Sequence, residues 1–336
     1  MLKVLFFADS HLGFDFPIRP RINRRRRGWD FFNNYQYILD TAIDEGVDAL
    51  VHGGDVFFRS KIPAQVIQKV YEPLLPVLEQ GVHMFFVPGN HERSRLPTSP
   101  IFHHQNFHLF DRPRSFSIEM DGLEVTWGGF PNIRHEVQKG FPSQLAEVGY
   151  DRESAALKIL CMHQSIEDAV VGVQNYTFRR GPDVVGREQF PEYLDLVLSG
   201  HIHRQQILRS RGGIPLIYSG SIERTSFAER LETKGFFILN LSNDDISWEF
   251  RPLPARSMHE WALPSNVLDK QNLIREIHNY AETIPSDAIF RVRSGVDKQL
   301  EILKIADLRN ELPDSMNVEL LPPARRIRYT WSAYSD

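Results

Sequence analysis

Cysteine is almost absent. Cys161 is the one thiol in 336 residues, so no intrachain disulfide can form and a reducing compartment is expected. It lies in the apolar run KILCM, where a small buried core residue is expected rather than a reactive thiol. Positive charge is not in excess either. Lys and Arg number 39 against 43 Asp and Glu, a net −4, so any polyanion would have to be met by a local patch. The opening MLKVLFFADS has an apolar run of strand length and no cleavage-site pattern. It predicts neither a signal peptide nor a membrane span, and a cytoplasmic protein. Low-complexity segments and internal repeats are missing too. What remains, 42% hydrophobic and 24% charged, suits a large globular domain with a smaller one beside it.

Short apolar runs that end in polar or glycine-containing loops recur: KVLFFADSH, VDALVHGGD, HMFFVPGNH, LKILCMHQS and LDLVLSGHIH. Each reads as a buried strand delivering polar residues at its carboxyl end. Amphipathic stretches over Phe31 to Glu45 and Ala64 to Gln80 predict helices between the first three. LEVTWGGF, IPLIYSGS, GFFILNL and ISWEFRPL predict further strands. The pattern implies a two-sheet α/β sandwich whose strand ends build one crevice, the edge that ligands favour in α/β folds. After RPLPARS a helix (LPSNVLDKQNLIREIHNYAET) and two strands (AIFRVRSGV, NVELLPP) predict a small α/β domain. The expected domains are therefore 1–255 and 256–336.

The strand ends supply Asp9 and His11 (DSH), Asp55 (GGD), Asn90 and His91 (GNHE), His163 (MHQ), and His201 with His203 (GHIH). In an extended segment His201 and His203 point the same way. Imidazoles and carboxylates without thiolate suit Mn, Fe or Zn better than Mg or Ca. There are too many for one tetrahedral ion, whereas two ions about 3.5–4 Å apart would use them all. Such a pair acidifies a bridging water and neutralises charge on a phosphoryl oxygen, which is phosphoester chemistry. Asn90 can ligate through its carbonyl, leaving His91 free to protonate the leaving oxygen.

In this order, D-x-H, G-D, G-N-H-E, H and G-H-x-H resemble the calcineurin-like metallophosphoesterase superfamily. DSHLG, GHIHRQQ and YSGSIERTSFAE followed by KGFFILNL resemble its SbcD-like branch, the nuclease subunits of double-strand-break repair. The resemblance implies one metal on Asp9, His11, Asp55 and His203, and a second on Asp55, Asn90, His163 and His201. Asp55 would bridge them and His91 would be the catalytic non-ligand. It further implies Mn²⁺, DNA as substrate, exonuclease and also endonuclease action, and a C-terminal domain that caps the site and touches DNA. Family members often carry His or Asp three residues after the bridging aspartate, where this chain has Phe58. A helical tail for docking an ATPase partner subunit is not evident, and a homodimer is left open. The competing functions are hydrolysis of a smaller phosphoester and a non-catalytic scaffold; a scaffold should have lost ligands, and none is missing.

PIRPRINRRRRGWDFF carries Arg19, Arg21, Arg24, Arg25, Arg26 and Arg27 soon after the first ligand pair. This loop is expected to rim the crevice and, with Arg179 and Arg180, to contact DNA phosphates, a task suited to the guanidinium fork. Trp29 and Phe31 are expected to staple the following helix. His52, His83, His103, His104 and His108 are expected to be structural.

Overall fold

The computed structural model describes residues 1–17, 24–151, 154 and 156–324. The chain divides into two compact units. Of the described residues, one holds 1–17 and 27–255, the other 24–26 and 256–324. Residues 24–26 thus group with the second unit, whereas the sequence pattern keeps them in the first.

Two six-stranded sheets organise the larger unit. In the first, Leu2–Phe7, Ala49–His52, His83–Phe86 and Phe107–Leu109 run parallel, and Gly235–Leu241 with Ile246–Pro252 close one edge antiparallel. In the second, Leu123–Gly129, Leu157–His163, Leu196–Gly200 and Pro215–Tyr218 run parallel, between antiparallel Arg114–Met120 and Gln206–Arg209.

Strand side chains alternate between faces, and here both faces find apolar neighbours. Val4, Phe6, Val51 and Phe85 meet Trp127, Ile159, Cys161 and Leu198 in the core between the sheets. Leu5, Phe7, Leu50 and Phe86 pack outward against the helix Gly28–Asp44 and its neighbours. Leu160, Met162 and Val197 pack outward with Phe141 and Leu145 of the helix Val137–Val148. Burial on both faces explains why the runs are continuously apolar rather than alternating. Burial also raises the pKa of the Cys161 thiol, as befits a core residue.

One predicted helix divides. Ala64–Tyr71 and Leu74–Glu79 are separate helices, because Pro73 cannot supply the amide hydrogen that would continue the first. Trp29 is half exposed, edge-on to Phe16, whereas Phe31 is fully buried.

The smaller unit has three parallel strands, Met258–Ala262, Ile289–Arg293 and Asn317–Leu321. Helices Lys270–Ala281 and Ile305–Glu311 share an apolar core with them around Leu273, Phe290 and Leu308. Among the described residues, no helix is long and apolar enough to cross a membrane.

Candidate metal centre

Parallel pairing decides where the polar side chains go. Phe7 pairs with His52 and His52 with Phe86, while Gly200 pairs with His163 in the other sheet. Every one of these strands therefore ends on the same side of its sheet. Beyond the first pair the chain continues as paired loops, with the Asp9, His11 and Leu12 amides donating to the Gly54, Asp55 and Val56 carbonyls at 2.9–3.0 Å. His52 reinforces them: its Nδ1 accepts from the Gly54 amide (3.1 Å), so its Nε2–H donates to Ser10 Oγ (2.8 Å).

The turns are tight and strained. Asp9, His11, Asp55 and His201 have φ of +51°, +43°, +54° and +87°, a left-handed conformation that costs a non-glycine residue of order 1–3 kcal/mol. Gly89 is required for a different reason. A Cβ there would overlap the Asp55 carboxylate and backbone amide.

Asp55 is the point of convergence. Its Oδ1 accepts from the His91 amide (2.9 Å). Its Oδ2 faces Nε2 of His163, His91 and His11 at 3.3, 3.8 and 4.0 Å. Both Asp9 oxygens accept from the His201 amide, at 3.1 and 3.0 Å. Nε2 of His11 and Nε2 of His203 stand 2.9 Å apart. Asn90 Oδ1 lies 3.0 Å from His163 Nε2 and 2.9 Å from His201 Nδ1. Three groups bring donor atoms within 4.8 Å of one another: Asp9, His11, His203; His11, Asp55, His91; and Asp9, Asp55, His163.

The chemistry of these donors fits a cation. His163 Nδ1 is 2.8 Å from the Gly53 carbonyl, which can only accept, so the proton sits on Nδ1. The Nε2 lone pair of neutral His163 then points at two oxygens, Asn90 Oδ1 and Asp55 Oδ2. Such an arrangement repels unless a proton or metal ion lies within it. The electrostatics agree. Burial lowers the His163 pKa, but Asp55 and Asp9 more than reverse this and raise it to about 9. Burial and the neighbouring His163 push His201 down to about 3. Burial and His203 hold His11 well below its ordinary value. His11 and His201 are thus held neutral, ready to ligate, whereas at His163 a divalent ion would take the place of the proton that Asp55 and Asp9 otherwise hold on the ring.

His91 differs from the others. Its side chain is 35% exposed, and its Nδ1 is 2.6 Å from the Phe58 carbonyl, which fixes the proton there and turns Nε2 toward Asp55. At Phe58 the backbone, rather than a second polar side chain, takes part in the site.

Two residues of the centre, Glu92 at the end of GNHE and Glu229, have no role assigned from the sequence. Glu92 accepts from the Phe57 amide (2.6 Å) and the Gly89 amide (3.1 Å), tying the GNHE turn to the GGD turn. Burial and the Asp55 charge raise its pKa to about 8. Glu229 Oε1 is 3.3 Å from His203 Nδ1. Burial acts to raise the Glu229 pKa, but the His203 hydrogen bond and the Lys234 charge hold it well below the usual carboxylate range. The one signal for Glu229 is that it is the last residue of YSGSIERTSFAE, which carries part of the branch resemblance.

The arginines separate. Arg19 and Arg21 lie outside the described residues. Arg24 is committed within the smaller unit: its guanidinium, 6% exposed, donates to the carbonyls of Arg309 (2.5 Å), Leu312 (3.1 Å), Pro313 (2.7 Å) and Met316 (2.8 Å). Arg309 is in the last turn of the Ile305–Glu311 helix and the others follow it, where carbonyls lack helical partners. Arg25 pairs with Asp287 at 3.4 Å in the same unit, and Arg26 is partly buried. Arg27 is buried in the larger unit, over the Phe14 ring and bonded to the Arg224 carbonyl. Within the run expected to contact DNA phosphates, Arg24 and Arg27 thus have their guanidiniums buried on internal carbonyls. Arg179 and Arg180 are exposed, Arg180 pairing with Glu188 at 2.6 Å. His83 and His108 stack 5.4 Å apart, away from the centre, and His104 Nδ1 accepts from the Asn106 amide.

Among known proteins, the chain is 24% identical to the DNA double-strand break repair protein Mre11 of Methanosarcina mazei over 296 residues, 88% of this chain and 45% of that protein. It is 23% identical to the protein of the same name from Methanococcus maripaludis, over 72% of this chain and 64% of that one. It is 26% identical to the uncharacterized metallophosphoesterase YhaO of Bacillus subtilis, over 73% and 56%. The chain thus spans less than two thirds of the length of each. The family model for calcineurin-like phosphoesterases matches residues 2–205, more than half of the sequence, and the chain belongs to that family.

Proposed function

We propose that the protein is a two-metal DNA nuclease, removing nucleotides from ends and also nicking within strands, with Mn²⁺ as its metal. The observation that carries the reading is the convergence of Asp55 Oδ2 and Asn90 Oδ1 with the Nε2 atoms of His163 and His11, beside a partly exposed His91. Asp9, His11, Asp55 and His203 would hold one ion, and Asp55, Asn90, His163 and His201 the other. When bound, the pair supplies an acidified water and charge neutralisation at phosphorus. His91, with its Nδ1 proton fixed on Phe58, would deliver a proton from Nε2 to the leaving oxygen.

DNA as the substrate is supported by the names of the relatives and by local charge. Lys61, Arg93 and Arg95 line an open cleft of about 810 Å³ that also touches Glu92, next to His91. None of the three has an ion-pair partner among the described residues. In a chain of net −4, uncompensated cations beside the centre suit a phosphate backbone. The smaller unit would serve as a DNA-contacting cap.

The test is purified protein with Mn²⁺ on end-labelled linear DNA, beside a small chromogenic phosphodiester. Shortening or nicking of the DNA is expected. Hydrolysis of the small diester alone would replace the reading with a small-phosphoester enzyme, and no hydrolysis of either with a scaffold.

A further inference from the structure

His203 is held from behind by a buried charged network. Glu229 Oε1, 3.3 Å from His203 Nδ1, also accepts from Thr225 Oγ1 (2.6 Å) and Ser226 Oγ (3.2 Å). Glu229 Oε2 pairs with Lys234 Nζ at 2.7 Å. Lys234 donates onward to the His203 carbonyl (2.8 Å) and to Glu232 Oε2 (2.9 Å). Its ammonium is fully buried, and both carboxylates are more than nine-tenths buried. Burying a lysine and two carboxylates is costly and seldom improves stability over apolar packing. Here the network, which Arg204 also joins through Glu232 Oε1 (3.3 Å), touches His203 at two points, the ring Nδ1 and the backbone carbonyl.

We infer that Glu229 and Lys234 are positioning residues of the metal centre: Glu229 keeps the His203 proton on Nδ1 and so turns the Nε2 lone pair toward Asp9 and His11, while Lys234 fixes Glu229 in that orientation. A carboxylate behind a ligating imidazole sets both its tautomer and its ring angle, and loss of such a partner typically lowers metal affinity about 10–100-fold. Only the ion shared by Asp9, His11 and His203 depends on this ring. The second group, around Asn90 and His163, has its own orienting contact at the Gly53 carbonyl. The inference rests on the ligand assignment above.

The experiment is Mn²⁺ titration of the full chain followed by electron paramagnetic resonance, with melting curves as a check on folding. The unmodified protein is expected to bind two ions with a spin-coupled spectrum. Glu229→Ala is expected to keep one ion at its original affinity and to weaken the other about 10–100-fold, leaving a mononuclear six-line signal at intermediate Mn²⁺. Lys234→Met is expected to act in the same direction with a smaller shift. Two ions bound by folded Glu229→Ala at unchanged affinity would overturn the inference and leave the ligand assignment standing. An unmodified chain that binds no Mn²⁺ would instead overturn the assignment itself. Should Glu229→Ala not fold, ¹⁵N resonances of the histidine rings in the unmodified, metal-free protein, at a pH high enough for His203 to be neutral, decide: the proton on His203 Nδ1 upholds the inference, and the proton on Nε2 overturns it.

Discussion

His11 and His203 stand with their Nε2 atoms 2.9 Å apart, although 192 residues separate them in the chain. Neither ring is on a strand; each sits just past one, His11 after Leu2–Phe7 and His203 after Leu196–Gly200. The contact therefore measures how closely the ends of two different sheets come together, and the mechanism depends on that distance.

The role of His91 can be separated from ligation. His91→Ala should retain its metal, since the groups around Asp9 and His163 remain, and should lose about 10²–10⁴ in cleavage rate. His163→Ala removes an atom 3.3 Å from Asp55 Oδ2 and should lose metal and activity together. Metal content by mass spectrometry, measured beside DNA cleavage, distinguishes the two outcomes.

Metal removal should abolish hydrolysis. Mixed imidazole and carboxylate donors favour Mn²⁺ over Mg²⁺, so after chelation Mn²⁺ should restore more activity than equimolar Mg²⁺. Full activity in excess chelator would contradict a metal-dependent reaction.

Acid should destabilise the fold through a site remote from catalysis. Burial, with a contribution from His83, lowers His108 to about 4, and burial lowers His83 as well. The unfolded chain takes up protons near the ordinary imidazole value of 6.5, and the folded chain does not. This contribution to stability is complete above about pH 6.5 and is lost as pH falls toward 4. His108→Phe, stacked on Phe85 as the imidazole is at 4.7 Å, should lose less stability between pH 7 and pH 5. Urea unfolding at the two pH values is the measurement.

Two sets of cations should behave oppositely. Arg24→Ala removes the guanidinium that four carbonyls bond, and should cost about 1–3 kcal/mol of stability. It should scarcely alter how DNA binding responds to salt. Replacing Lys61, Arg93 and Arg95 with alanine should leave the melting temperature nearly unchanged. The slope of log K against log salt should shrink by roughly 0.9 for each duplex phosphate that is no longer neutralised. A reversed pattern would return the arginine run to the substrate surface.

What the sequence makes legible follows from local rules. Apolar runs closed by DSH, GGD, GNH and GHIH announce buried parallel strands with chemistry at one end, and the structure brings those residues to one place. The split between Tyr71 and Leu74 is also present in the sequence, as Pro73, but amphipathic periodicity on both sides masks it. Arg24 defeats a local rule, because a run of like charges says nothing about which helix end will take up one of its members. Glu229 ends the segment YSGSIERTSFAE, but nothing local says what it meets: it sits in a 3-10 turn over Phe227–Glu229, and only the tertiary fold brings that turn behind His203.

The proposed ligands come from both halves of the sandwich. Asp9, His11, Asp55 and Asn90 follow strands of one sheet; in the other, His163 ends a strand and His201 and His203 follow one. An ion bound there is a clasp between the two layers, and neither sheet can peel away without releasing it. Each ion at a hundred times its dissociation constant would then add about 2.7 kcal/mol to the stability of the whole larger unit. Melting should accordingly climb with free Mn²⁺ as one transition. The same logic makes metal retention a gauge of assembly, because a fragment containing a single sheet would carry only half of the clasp.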